Sequence, residues 1–248
     1  MKNLREYKFD SIYELISLID SHVKHGSEFW NFDEELFASC ATKFSKFTLL
    51  HLYTITTALN YYRRYFRKNG DCIDEDGIKY WYDLFETYNV KHELFDFETE
   101  EDIFFWFERN ENSFSDLFEM MADEVFHILF SNRNFLLNFN KLLHDTVLDI
   151  TTHKDRFTEK GTIKRTYIPT WVKKAVFHRD KGRCVYCNTD LTYIYNTLTN
   201  SNYDHMVPLD LMGVNDPCNI QLTCERCNKS KNNKEESTGT HYIPWWLK

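Results

Sequence analysis

Glycine and proline are scarce, at seven and four among 248 residues. Such a chain is short of turn formers, which argues against a many-stranded all-β sandwich and favours helices. No apolar run approaches the roughly 18 residues that a membrane helix requires. The N-terminal MKNLREYKFD lacks the apolar core of a secretory signal. These absences lead to the expectation of a cytoplasmic protein that does not engage a membrane. A disulfide framework is also disfavoured, because the seven cysteines are odd in number and no secretory signal accompanies them. What is present suits a packed core: 42% hydrophobic, 17% aromatic and 27% charged residues.

The net charge of −8 conceals an asymmetry. Residues 1–150 carry 15 Lys/Arg and 28 Asp/Glu, a balance of −13, and residues 151–248 carry 15 and 10, a balance of +5. A polyanion is repelled by the first part and tolerated or attracted by the second. All four prolines (Pro169, Pro208, Pro217, Pro244) lie in the second part. The proline-free stretch suits long helices. Ser11-Ile12-Tyr13-Glu14 reads as a capping box, followed by a stripe of Ile12, Leu15, Ile16, Ile19 and Val23. Phe44, Phe47, Leu50, Thr54, Ala58 and Tyr62 make a weaker stripe, and Phe114, Leu117, Phe118, Met121, Val125, Ile128 and Leu129 a clean one. A last helix is expected from about Asn134 to Ile150, through Phe139, Leu142, Leu143 and Val147.

Residues 1–150 are therefore expected to form an acidic, all-helical domain. The aromatics at helical spacing read as core. Residues 101–111, with Phe104, Phe105, Trp106 and Phe107, read as a buried helix or a partner surface. The 18 acidic residues from Asp71 to Glu124 read as a solvated face or as a dock for a basic partner. The Arg63-Arg64-Tyr65-Phe66-Arg67-Lys68 cluster ahead of Gly70 reads as favourable charge at a helix C-terminus in preference to a phosphate site. Residues 151–166 are polar, basic and aperiodic, a linker or an arm along a phosphate backbone.

Four cysteines form two pairs, Cys184-Val-Tyr-Cys187 and Cys224-Glu-Arg-Cys227, separated by 36 residues. Two such turns can surround one Zn²⁺ with four thiolates at ~2.3 Å, leaving no coordination position open. The zinc is then structural. Cys40, Cys72 and Cys218 have no comparable partners and read as ordinary thiols. Between and beside the pairs stand Tyr203-Asp204-His205-Met206-Val207-Pro208, Asn219-Ile220-Gln221-Leu222 and Asn228-Lys229-Ser230-Lys231. On a regular strand Asp204 and His205 point to opposite faces. The layout suits a hard metal held by Asp204 and Asn228, with His205 left free as a base.

Together with the run from Ile168 through Trp171, His178, Arg179 and Gly182 to Cys187, these segments resemble zinc-containing HNH endonuclease domains over roughly residues 165–235. The resemblance implies a ββα-metal, treble-clef-like α+β zinc domain at 167–248, behind the helical domain in a mainly α protein. It implies His205 as the general base that activates water and Asn219 as the brace of its loop. Asn228 stands at the third motif position, joining Asp204 around a catalytic Mg²⁺ or Mn²⁺. DNA is the expected partner, with Arg179, Lys181, Arg183, Lys229 and Lys231 as candidate phosphate contacts. By analogy the protein is an effector in bacterial anti-phage defence or restriction. Two alternatives stand beside the nuclease: a catalytically silent zinc-stapled nucleic-acid-binding module, and an interaction subunit whose acidic helical half docks a protein partner or an oligomer.

Overall fold

The computed structural model describes residues 6–26, 32–70, 73–97, 102–150, 154–192 and 202–244. Its α-helices are α1 (Ile12–Lys24), α2 (Glu34–Thr42), α3 (Leu49–Asn69), α4 (Glu75–Thr87), α5 (Ile103–Arg109), α6 (Glu111–Leu129), α7 (Arg133–Asp149), α8 (Thr170–Arg179) and α9 (Glu225–Lys231). Two short strands, β1 (Tyr203–His205) and β2 (Ile220–Leu222), make an antiparallel pair. The protein is mainly α, with a small sheet in its C-terminal part. Among the described residues no helix is long and apolar enough to cross a membrane. Two compact units separate, one holding the described residues of 6–21 and 50–127, the other those of 22–26, 32–49 and 128–244.

The first unit is built on aromatic packing. Phe66, Phe85, Trp106, Phe107, Phe114 and Phe118 are essentially inaccessible. Edge-on contacts at ring separations of 5.0 Å join Phe114 to both Trp81 and Phe85. The α1 stripe buries Ile12, Leu15, Ile19 and Val23, and the α6 stripe buries Phe114, Leu117, Phe118, Met121, Val125 and Leu129. α5 is half buried: Ile103, Trp106 and Phe107 face the core while Phe105 is exposed.

The weaker stripe needs correction. Phe44 and Phe47 precede α3, which starts at Leu49, and residues 34–42 form a separate helix that the spacing did not reveal. The cationic cluster does close a helix. Arg67 and Lys68 fall in the last turn of α3, and the Arg67 guanidinium lies 4.6 Å from the Phe104 ring centre.

Several acids of the Asp71–Glu124 stretch have local structural roles. Asp74 and Asp102 cap α4 and α5, accepting from the Gly77 and Phe104 N–H groups at 3.1 and 2.8 Å, each worth about 1 kcal/mol. Glu124, buried on α6, accepts from the Lys8 and Phe9 N–H groups and the Tyr88 hydroxyl at 2.7 to 2.9 Å, which ties down the N-terminal segment.

The second unit contains the paired cysteines. Its core gathers Ile168, Val172 and Val176 from and just before α8 with Cys184, Leu191, Tyr203, Ile220 and Leu222. α2 and α7 belong to this unit as well. The Asn215 N–H donates to Ala41 O at 2.8 Å, Leu49 N–H donates to the Asp216 carboxylate at 2.8 Å, and the Asn140 amide donates to Cys218 O at 3.1 Å. Residues 154–166 fold back on themselves through a bridge between Phe157 and Ile163, both buried.

Asp180, at the end of α8, is fully buried. Arg179 grips both its oxygens at 2.9 and 2.8 Å, the Leu222 N–H donates to it at 2.9 Å, and Arg133 approaches at 3.4 Å. Arg133 also donates to the carbonyls of Gly239 and His241 and lies 4.1 Å from the Tyr242 ring centre. The tail therefore packs back onto this unit as far as the described residues run. Trp245 and Trp246 lie outside them. Gly239 is required in that path, since a Cβ there would come within 1.7 Å of Val185 O.

Removing the charge of Asp180 leaves the buried Arg179 cation without its anion, which typically costs 3–5 kcal/mol. Asp180→Asn is therefore expected to lower the urea midpoint of the zinc-loaded protein sharply. Asp190→Asn, at a half-exposed carboxylate that pairs with Arg183 and accepts from Thr192, is expected to lower it far less.

Candidate active site and metal centre

The sulfurs of Cys184, Cys187, Cys224 and Cys227 all lie within 4.8 Å of one another. None of them is in a disulfide, and the Cys187 and Cys224 sulfurs stand 3.7 Å apart. A tetrahedron with metal–sulfur bonds of ~2.3 Å has edges of about 3.8 Å, so the separation is that of two ligands on one Zn²⁺. Gly182, at φ +64°, turns the chain into the first knuckle, where Phe177 and Thr192 leave no room for a Cβ. Burial opposes ionisation at Cys187, but hydrogen bonds from Thr189 and the neighbouring sulfurs outweigh it and lower this thiol to about 6. Burial and the crowded sulfurs push Cys227 up to about 12. Four thiols so close cannot all ionise without a cation between them, so the donor set fits zinc. Cys40 and Cys218 are buried and held protonated, chiefly by desolvation. Cys72 lies outside the described residues.

The second knuckle begins α9. The Cys224 sulfur accepts from the Cys227 N–H at the helix start, so the zinc site sets where α9 begins. β1 and β2 pair Tyr203 with Leu222, Asp204 with Gln221 and His205 with Ile220. Asn219 clamps the turn beyond His205. Its side-chain oxygen accepts from the Val207 N–H at 2.8 Å, and its amide donates to Val207 O and Val214 O at 2.9 and 3.0 Å. Hairpin, clamp and zinc-seeded helix together make a ββα frame.

Strand alternation turns Asp204 and His205 away from each other, and their surroundings differ. Oδ2 of Asp204 accepts from the Gln221 amide and from the Lys231 ammonium, both at 2.9 Å. Gln221 also donates to the Tyr186 hydroxyl and to Ser237 O. His205 is buried, with only 2% of its surface exposed. Burial, then the positive charge of Arg165, pushes its imidazole down to about 3, against a weaker upward pull from Asn215. The ring is therefore neutral at physiological pH, and while it stays buried it is a weaker base than a free imidazole. The ring nitrogens make no well-formed hydrogen bond, Asn215 being the nearest partner, and the side-chain oxygens of Asn215 and Gln221 are buried without one as well. Buried atoms of this kind call for water or an ion. On the Asp204 face, the unpaired oxygen of Gln221, whose amide touches the carboxylate, suits a hydrated hard cation. Asn228 lies on α9 three residues before Lys231, on the same helix face.

The candidate phosphate contacts fare unequally. Arg179 is spent on Asp180 and Ile220 O and is almost wholly buried. Lys231 is equally buried. Both cations point inward, away from any strand lying on the surface. Lys181 donates to Ile243 O, Arg183 pairs with Asp190, and Lys229 pairs with Glu225 on an exposed helix face. Sequence spacing singled out neither Asn215 nor Arg165. Arg165 is an exposed cation in the basic 151–166 stretch whose charge reaches His205.

Residues 184–234 match the family model for HNH endonuclease. This segment is an HNH endonuclease domain. It contains all four cysteine ligands, β1, β2 and α9, and the family implies nuclease activity on nucleic acid. No family model matches the N-terminal region. Comparisons with curated proteins and with solved structures returned no match.

Two measurements check this construction. Zinc analysis of the purified protein is expected to give about one ion per chain, and Cys227→Ser to lose it together with cooperative unfolding of the C-terminal unit. Asn219→Ala removes three buried hydrogen bonds and strands the Val207 N–H. It is expected to cost roughly 2–4 kcal/mol in chemical denaturation while zinc content stays unchanged.

Proposed function

We propose that the protein is a metal-dependent endonuclease that hydrolyses phosphodiester bonds of DNA, leaving 5′-phosphate and 3′-hydroxyl ends. The observation that carries this reading is the neutral, unpaired imidazole of His205. It stands on a strand whose neighbour Asp204 presents a carboxylate, in a frame fixed by Asn219 and four zinc-spaced cysteines. His205 takes the proton from the attacking water. Asp204 and Asn228 would hold Mg²⁺ or Mn²⁺, which stabilises charge on the phosphate and on the departing 3′-oxygen. Zinc, enclosed by four thiolates, holds the frame and takes no part in the chemistry. Residues 167–248 act as the nuclease domain, and residues 151–166 as a basic arm beside it. The acidic helical unit that holds residues 6–21 and 50–127 recruits a protein partner or restrains the nuclease. Such an arrangement suits an effector in anti-phage defence within the cytoplasm.

The burial of His205 favours a second reading, in which the centre opens to substrate only within a larger complex. Supercoiled plasmid incubated with no added divalent ion, with Mg²⁺ and with Mn²⁺ tests the first reading. Ion-dependent nicking or linearisation is expected, reduced at least ~100-fold in His205→Ala. Cleavage that persists in the variant contradicts the role given to His205. Absence of cleavage by zinc-loaded wild type transfers the case to the second reading.

A further inference from the structure

Lys231 is the last residue of α9, and its side chain is only 3% exposed. Its ammonium lies 2.9 Å from Asp204 Oδ2 and 2.6 Å from the carbonyl oxygen of His205. It thus bridges the side chain of one site residue and the backbone of the next. Oδ2 receives the Gln221 amide as well, at 2.9 Å. The carboxylate assigned to a divalent ion is thereby already neutralised by an internal monovalent cation. A dication at the same carboxylate would stand a few ångströms from the ammonium and repel it. One half-buried carboxylate oxygen does not accommodate both cations in this geometry.

We propose that Lys231 is a built-in counter-cation for the catalytic metal site. Its ammonium holds the Asp204 carboxylate in place until a divalent ion displaces it. The proposal rests on the reading of Asp204 as a ligand of that ion. The movement required is small. Lysine has a flexible four-carbon stem, and the helix ends at once beyond it, where Asn232 adopts a left-handed φ of 57°. With Asp204 taken by the ion, the ammonium leaves Oδ2 and turns outward, where the incoming phosphate is its natural partner. Lys231 then meets substrate only after the metal has bound, an order that keeps the metal-free centre closed.

Lysine acetylation by trace acetic anhydride, read by mass spectrometry on the zinc-loaded full chain, follows this displacement directly. Lys234, exposed and three residues away, is the internal standard. Without added divalent ion, Lys231 is expected to react at least ~10-fold more slowly than Lys234. At saturating Mg²⁺ it is expected to approach the Lys234 rate. Lys231 that stays protected at a Mg²⁺ concentration shown by titration to saturate the site overturns the proposal.

A calorimetric titration with Mn²⁺ supplies a second readout. Lys231→Met is expected to bind about tenfold more tightly than wild type, and Lys231→Arg to bind no more tightly than wild type. A merely structural lysine predicts equal or weaker binding in Lys231→Met. Asp204→Asn separates the two layers of the argument. If Mn²⁺ binding is absent in wild type or survives in Asp204→Asn, the ligand reading itself fails. If binding is lost in Asp204→Asn while Lys231 remains protected, only the counter-cation fails.

Discussion

The C-terminal unit depends on one buried carboxylate. Asp180 closes α8, satisfies Arg179, and accepts the backbone N–H of Leu222, the last residue of β2. Through Arg133 it also reaches α7 and the carbonyls of the tail. A buried anion with these partners is expensive to disturb, because each cation around it would be left without compensation. The register of β2 against β1, and with it the placement of Asp204 and His205, is set from this side. The zinc cysteines set it from the other, by starting α9 immediately beyond β2.

Between these two fixed points lies a centre that is unusually closed. Polar atoms that a nuclease must expose are buried and unpaired at His205, and the Asp204 carboxylate is in the grip of Lys231. Such unsatisfied groups persist only where the surrounding structure determines them, and they concentrate at functional sites. The two anchors supply that determination. The closed centre also explains why exposed charge is a poor guide here. The cations nearest the motif, Arg179 and Lys231, are spent on internal carboxylates, and an unheralded one, Arg165, carries its charge to the histidine.

Much of this was legible in the sequence where a single periodicity or spacing controls the outcome. The paired cysteines announce a metal site because their spacing brings four sulfurs together whatever surrounds them. The α1 and α6 stripes are regular enough to give the buried faces of those helices, and the last stripe gives α7 to within a residue at each end. Legibility fails where contacts are long-range. Nothing near Asn215 indicates that its backbone meets Ala41, or that residues 32–49 join the cysteine-bearing unit. α2 was missed because nine residues with two acids at the start and a mixed face carry little period. The inward turn of Arg179 was hidden as well, since a basic residue beside a knuckle reads equally as a surface charge or as the partner of a buried Asp.

The central claim is that two kinds of metal site, a closed sulfur site and an oxygen site at Asp204, share one ββα frame. Anomalous diffraction from crystals of the zinc-loaded protein grown with Mn²⁺, recorded at the edges of both metals, tests this most directly. The account predicts a zinc peak among Cys184, Cys187, Cys224 and Cys227 and a separate manganese peak at the Asp204 carboxylate. Crystals with zinc in place and no manganese at Asp204, at an ion concentration that supports cleavage, would contradict it.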